Sequence, residues 1–292
     1  MNEVSASGKF IDIENVFKQK NAGLGKWIPG FVFSFIRRII HETEINAFLE
    51  RNKNEWGIPF LKQVTGYFNA SYDLIGKENL PESPRVVFAA NHPLGGMEGI
   101  VLTEILADQY GDARVPVNDI LLSIKNFKPL FIPINKHGMS SKEAILEFDE
   151  NYKSDRAMLM FPAGYVSRKN QGVIRDIPWR KTFISKAKEH KRMIIPTFVE
   201  ATNSKRFYRV ASFRKFFGIK ANLEMFLLPD ELFRQKNSKL RFYFGQAVPP
   251  DFFDKRHRPQ DWALLLQNYV YELPKGEKRS FMEMIDSQAL SL

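Results

Sequence analysis

The stretch Asn91-His92-Pro93-Leu94-Gly95-Gly96-Met97-Glu98-Gly99 places an imidazole and a carboxylate close together in the chain, directly after the apolar run from Arg85 to Ala90. Histidine titrates near neutrality, and a carboxylate beside it can fix its tautomer and steady the imidazolium, which is the chemistry of a general base. A strand-end His is also often an ordinary loop residue and Gly-Gly an ordinary turn. The combination of strand, His, Pro, Gly-Gly and acid favours the base. On a regular helix the step from His92 to Glu98 turns roughly 240°, so the two side chains meet only if the Gly95-Gly96 turn folds the segment back on itself.

Such a loop needs a sheet to hold it. Short apolar runs at 85–90, 130–134, 157–161, 193–199 and 240–244 read as strands, separated by amphipathic patterns at about 97–109, 178–190 and 260–273. Ser140-Ser141-Lys142-Glu143 has the form of a capping box opening a further helix. This alternation predicts an α/β fold with a largely parallel or mixed central sheet flanked by helices, and active sites in such sheets gather at the carboxyl ends of strands. Helical patterns at 42–54 and 59–68 precede the alternation, and Pro81-Glu82-Ser83-Pro84 punctuates it. The expected organisation is an N-terminal helical appendage over residues 1–84 and an α/β domain over 85–292.

Composition narrows the chemistry. With no cysteine, disulfides, thiolate catalysis and Cys-based zinc sites are excluded, and neither a His-x-x-x-His pair nor a clustered carboxylate set suggests a metal. His41, His190 and His257 read as surface residues and His137 as a loop residue. A net charge of +10 and a pI near 9.6 predict attraction to a polyanion. Phenylalanine is abundant, at 26 of 292 residues, yet no single-strand-binding motif accompanies it, so a lipid surface is expected ahead of nucleic acid. Trp27 to Ile40 is too short before Arg37 and Arg38 to span a bilayer; it suits an interfacial helix or one packed on the core. Phe213-Arg214-Lys215-Phe216-Phe217-Gly218-Ile219-Lys220 is a second basic-aromatic segment, able to seat the protein on a membrane or line an acyl-chain groove. The N-terminus lacks the pattern of a secretory signal, so the expected location is the cytoplasmic face of a membrane, peripheral or monotopic.

Three further blocks follow the first in order: Phe131-Ile132-Pro133-Ile134-Asn135-Lys136-His137-Gly138, then Phe161-Pro162-Ala163-Gly164-Tyr165-Val166-Ser167-Arg168-Lys169, then Ile194-Ile195-Pro196. The series resembles the glycerolipid acyltransferase family of the lysophosphatidic acid acyltransferase type, with its His-x4-Asp block, basic block, Phe-Pro-Glu-Gly block and apolar block ending in Pro. The altered blocks are similar to those of a bacterial subgroup whose acceptor can be a monoacylated amino acid lipid. The resemblance covers roughly 85–200. It implies an acyltransferase that moves an acyl group from an acyl carrier protein or coenzyme A thioester to a lyso-lipid hydroxyl, with no bound cofactor.

By the same resemblance, His92 is the general base and Glu98 its orienting acid. Asn91, Gly95, Gly96, Asn135, Lys136, Pro162, Ala163, Gly164 and Arg168 are expected to line the substrate site, with Lys136 and Arg168 meeting an anionic headgroup. Departures from the family pattern bear on the acceptor: Met97 stands where the family acid would fall, Ala163 replaces the Glu, Val166 replaces an Arg, and Lys136 offers a point charge in place of a bidentate guanidinium. The alternative is a catalytically inactive membrane-binding protein of the same fold.

Overall fold

The computed structural model describes residues 10–12, 14, 30–118, 121–135, 141–219 and 222–290. Helices α1 (Gly30–Ile39), α2 (Glu42–Arg51) and α3 (Ile58–Phe68) lead into strand β1 (Ser71–Ile75). The centre of the chain follows as β2 (Val86–Ala90), α4 (Met97–Tyr110), β3 (Ala113–Asn118), β4 (Phe131–Asn135), α5 (Ser141–Lys153) and β5 (Ala157–Met160). Next come a small antiparallel hairpin, β6 (Arg168–Asn170) and β7 (Val173–Arg175), then α6 (Thr182–Glu189), β8 (Met193–Glu200) and α7 (Lys205–Phe216). The chain closes with α8 (Leu228–Arg234), β9 (Lys239–Phe244), α9 (Pro259–Glu272) and α10 (Phe281–Asp286).

Seven strands form one mixed sheet in the order β1-β9-β8-β2-β5-β3-β4. The run from β8 to β4 is parallel, while β9 is antiparallel to β8 and parallel to β1. β2 is fully buried, and its alternate residues serve two cores. Val86, Phe88 and Ala90 join the α3 and α4 side, and Val87 and Ala89 join the α6 and α9 side. That is why β2 reads as a continuous apolar run instead of alternating with polar residues. Helix α4 is buried nearly all round for the same reason, with Met97, Val101, Leu102, Ile105 and Leu106 all in the core. Gly111 closes it in the left-handed conformation at φ 79°, donating to Ala107 O at 2.8 Å.

Residues 84 and 85 do not divide two cores. Phe60, Leu61, Val64 and Phe68 of α3 pack in the same cluster as Val86 and Phe88, and Ser71–Ile75 pairs with β9 as an edge strand. The exposed and half-buried β1 lacks a strong apolar run, which hid it in the sequence. The expected helix at 178–190 is shorter, Thr182–Glu189, because Trp179 instead turns into the core with its indole bonded to Asp176. Trp27 to Pro29, Ser140, His137 and Lys220 lie outside the described residues. Pro196, the strand-borne proline, sits where the outer partner of β8 changes: Ile194 bridges Val248, Thr197 pairs Phe244, and Pro196 O accepts from Gly245 N between them. Its missing N–H falls where no ladder bond is needed on that side.

Candidate active site

The parallel run β8-β2-β5 brings the first and third sequence blocks and the segment after β8 to one edge of the sheet, because neighbouring parallel strands end on the same side, while Ile194-Ile195-Pro196 lies within β8. His92 leaves β2, Phe161 to Ala163 leave β5, and Ala201 to Asn203 leave β8. The loop from His92 to Gly96 then turns back to start α4 at Met97. Glu98, in the first turn of α4, folds its carboxylate over this loop. Its Oε1 accepts from Leu94 N and Gly95 N, both at 2.8 Å, and its Oε2 accepts from Gly96 N at 3.0 Å. His92 Nδ1 lies 2.9 Å from Glu98 Oε1. The two are at ion-pair distance, although the ring nitrogen does not reach the alignment of a proper hydrogen bond. The pair meets through the Gly95-Gly96 turn, as its spacing requires.

Glu98 is fully buried, and burial by itself would push its carboxyl up; the His92 ring and the amides of Gly95 and Leu94 outweigh that and hold its pKa down at about 2. A carboxylate at the amino end of α4 also meets the positive end of the helix dipole. Gly95 is demanded twice over: its φ is +85°, and a Cβ there would come within 2.5 Å of Val166 Cγ2 and 3.1 Å of Leu228 Cδ2. The imidazole is pinned from one face by Phe161, with ring centroids 4.1 Å apart and planes within 26°. Its side chain remains 19% exposed.

A second carboxylate, missed in the sequence, holds the backbone of the same residue. Asp176, buried after β7, accepts from His92 N at 3.2 and 3.3 Å, from the Ser167 hydroxyl, and from Trp179 Nε1 at 2.9 Å. Ser167 N in turn donates to His92 O at 2.7 Å. Burial pushes the Asp176 carboxyl up, opposed by those donors. Asn203, also unforeseen, donates to the carbonyls of Pro93 and Leu94 at 3.1 and 3.2 Å. The loop is therefore clamped by Glu98, Asp176 and Asn203, from three different segments. A cleft of about 330 Å³ opens beside it, lined by Asn91, Pro93, Ser167, Phe198, Val199 and Tyr271 among others.

The remaining expected residues fall in several places. The Asn91 amide is occupied at both ends, donating to Val199 O at 3.0 Å and accepting from Val199 N at 2.6 Å, so it ties β2 to β8. Gly96 caps α4. Ala163 is packed in the α6 and α9 core, and Pro162 O accepts from Arg180 N. Gly164 closes a turn by donating to Phe161 O at 2.9 Å; it stands in open space at φ +68°, so conformation rather than close approach requires a glycine. Arg168 is held by Glu224 at 3.0 Å and lies over the Phe207 ring at 5.5 Å. Glu224 also takes Arg214 at 2.9 Å, leaving the trio with one net positive charge. Asn135 ends β4, and β5 and β3 stand between β4 and β2, which sets the strand axes about 14 Å apart at normal sheet spacing. Lys136 lies outside the described residues.

His190 is not a surface residue: its side chain is buried against Asp149, with Nε2 2.9 Å from Oδ1. His41 likewise stacks on Phe233 at 3.9 Å and pairs with Asp230 at 3.1 Å. His257 sits against the edge of Trp262 at 4.6 Å. Asp149, Glu189 and His190 bring their ligand atoms within 4.8 Å of one another, a convergence the sequence did not suggest. Lys186 and Lys153 already occupy the Asp149 carboxylate at 2.6 and 3.1 Å, so its charge is met without an ion.

A buried acid behind a partly exposed imidazole, at the carboxyl edge of a helix-flanked mixed sheet, is a constellation for removing a proton from a nucleophile. The chain matches the acyltransferase family over residues 15–251 and belongs to it. It is an acyltransferase, as the four ordered blocks imply. It is 39% identical over 264 residues to the lyso-glycine lipid O-acyltransferase of Phocaeicola vulgatus, covering 90% of this chain and 95% of that one. It is 38% identical over 264 residues to the protein of the same name from Bacteroides thetaiotaomicron, covering 90% and 97%. Among solved structures it is similar to the 1-acyl-sn-glycerophosphate (LPA) acyltransferase of Thermotoga maritima, at 13% identity and a TM-score of 0.47, over 85% of this chain and 95% of that one.

Proposed function

We propose that the protein transfers a fatty acyl group from an acyl thioester to the hydroxyl of a lyso-lipid, with His92 as general base and Glu98 as its orienting acid. A monoacylated amino acid lipid is the favoured acceptor, in keeping with the names of relatives that are 39% and 38% identical along nearly their whole length. The observation that carries the chemistry is the His92–Glu98 pair, 2.9 Å apart, with the acid buried and the imidazole partly exposed.

Glu98 at Nδ1 favours the tautomer with the proton there, which leaves the Nε2 lone pair free. Nε2 takes the acceptor's hydroxyl proton as that oxygen attacks the thioester carbonyl. The C–O bond forms, the C–S bond breaks, and the departing thiolate recovers the proton from the imidazolium. No acyl-enzyme is needed. The buried Glu98 steadies the imidazolium that forms between the two steps.

The thioester is carried by acyl carrier protein or coenzyme A. The positive trio of Arg168, Arg214 and Glu224 contributes charge toward an anionic acceptor, although Glu224 and Phe207 hold the Arg168 guanidinium in place. No helix among the described residues is long and apolar enough to cross a membrane. This reading places the protein at the cytoplasmic face as a peripheral or monotopic partner of an anionic membrane.

Purified protein with radiolabelled acyl thioester and lyso-glycine lipid should form the diacyl product, and His92→Ala should abolish it while preserving the circular dichroism and melting curve. Turnover by the His92→Ala protein sinks the mechanism. Absence of product from the wild type with every lyso-lipid acceptor supports an inactive membrane-binding protein instead.

A further inference from the structure

Helix α7 has two unlike faces. Phe207 and Tyr208 are buried with Val166 and Leu227, and Val210 and Leu228 pack against them. The opposite face stands in solvent, with Phe213 61% exposed, Phe216 84% and the following Phe217 58%. The short turn at Leu223–Leu227 adds Phe226, 54% exposed. Isolated exposed apolar residues are common, but a run of four aromatic rings on adjoining segments is the kind of patch that marks an interaction surface.

The charge carried by α7 itself is of one sign. The sequence of α7, KRFYRVASFRKF, contains five basic residues and no acid. Arg214 turns inward to Glu224 and Arg206 meets Asp230 at 3.3 Å, whereas Lys205, Arg209 and Lys215 are exposed and make no ion pair among the described residues. At helical spacing Arg209 lies on the same side as Phe213 and Phe216, so aromatic rings and cations share one face.

The patch also backs directly onto the candidate active site. Val166 and Leu228, which pack on the inner side of α7, are the residues a Cβ on Gly95 would strike. One layer of side chains therefore separates α7 from the His92 loop. Ile39 of α1 packs on the same cluster, and α1 exposes Phe31 and Phe35 on its own outer side.

We propose that the outer face of α7 and the turn after it form the surface by which the protein sits on an anionic phospholipid bilayer, so that a membrane-borne acceptor reaches the site beside His92. Phenyl rings enter the boundary between headgroups and acyl chains while Lys205, Arg209 and Lys215 meet lipid phosphates. A second copy of the chain is a poor occupant, because a twofold contact would set these cations against themselves. An acidic protein would satisfy the cations and leave the rings to be covered by a polar surface. The proposal rests on the lyso-lipid reading for its purpose, but binding is measured without turnover.

The test is co-sedimentation of the full chain with vesicles of phosphatidylcholine, alone or mixed with phosphatidylglycerol. The wild type should partition to the mixed vesicles and be released by salt. Phe213→Ser, Phe216→Ser and Phe217→Ser combined should weaken partitioning roughly a hundredfold, given what burial of such rings contributes. Arg209→Glu with Lys215→Glu should weaken it at least about tenfold, and only on anionic vesicles. Both variants should keep the wild-type melting curve and the wild-type turnover of acceptor supplied as monomers below its critical micelle concentration.

The proposal is overturned if the wild type stays in the supernatant. It is equally overturned if both variants sediment like wild type, or if the variants keep vesicle binding but lose turnover with an acyl carrier protein donor in solution. Should the wild type turn over no acceptor yet bind mixed vesicles through these residues, the functional reading fails and the surface stands.

Discussion

Glu98→Gln removes one charge and almost no volume, which makes it the sharpest probe of the candidate site. In the folded protein the Glu98 pKa is about 2, against an ordinary value of 4.5. A carboxyl lowered on folding adds stability that is fully present above the unfolded pKa and is lost as pH falls through the folded one. The difference corresponds to about 3 kcal/mol at neutral pH, lost between roughly pH 4.5 and 2. The glutamine must also place an amide NH2 among the Leu94, Gly95 and Gly96 amides, and donor against donor leaves at least one of them unmatched. Denaturant unfolding at pH 7 should therefore show a loss of about 3 kcal/mol, and melting a fall of roughly 5–10 °C. At pH 3 the gap between wild type and variant should narrow, because the wild type has by then lost part of this contribution.

The catalytic effect of the same change is larger than its effect on stability. Without a negative charge at Nδ1 the imidazolium is unsupported, and a glutamine amide facing Nδ1 favours the tautomer with the proton on Nε2. By comparison with the loss of an orienting carboxylate elsewhere, kcat should fall on the order of 10³–10⁴-fold. Pre-steady-state and steady-state acyl transfer would read it, with KM for the thioester little changed. A Glu98→Gln protein with wild-type stability and kcat within a few-fold of wild type would refute both the pairing and the role given to it.

Gly95→Ala should cost about 2–3 kcal/mol in urea unfolding, since the residue sits at φ +85° and its Cβ would overlap Val166 Cγ2 at 2.5 Å; a neutral result would mean the loop has another conformation. Asp176→Asn keeps an acceptor for His92 N but sets an amide among the Ser167 and Trp179 donors, so kcat should drop about tenfold while KM for the thioester holds. Equal kcat for wild type and variant would show that Asp176 does not position the base. Arg192, wholly buried, donates to the carbonyls of Tyr152, Val86, Arg156, Asn151 and Ser154 at the amino end of β2. Arg192→Met should remove about 3–5 kcal/mol of stability and leave KM alone in the surviving folded fraction; a KM shift would tie that end of the sheet to substrate.

The sequence alone determined the parts of this protein that are locally encoded. The apolar run 85–90 had to be a buried strand, Gly95-Gly96 had to be a turn, and a His and a Glu on either side of it could meet only through that turn. The order of four blocks was enough to imply acyl transfer, because the residue types of each block are written side by side in a short segment. Strand pairing and charge neutralisation are different, since they join residues far apart in the chain. Asp176 reaches His92 across 84 residues, and no local pattern marks it. Arg168 reads as a free cation until Glu224, buried far along the chain, is found against it. Ser71–Ile75 becomes a strand only because β9 lies alongside, and Asn135 falls away from His92 only because β5 and β3 intervene. Hydrophobic periodicity and turn chemistry act over a few residues and so can be read from one sequence, whereas the packing of distant segments decides which side chains share a site.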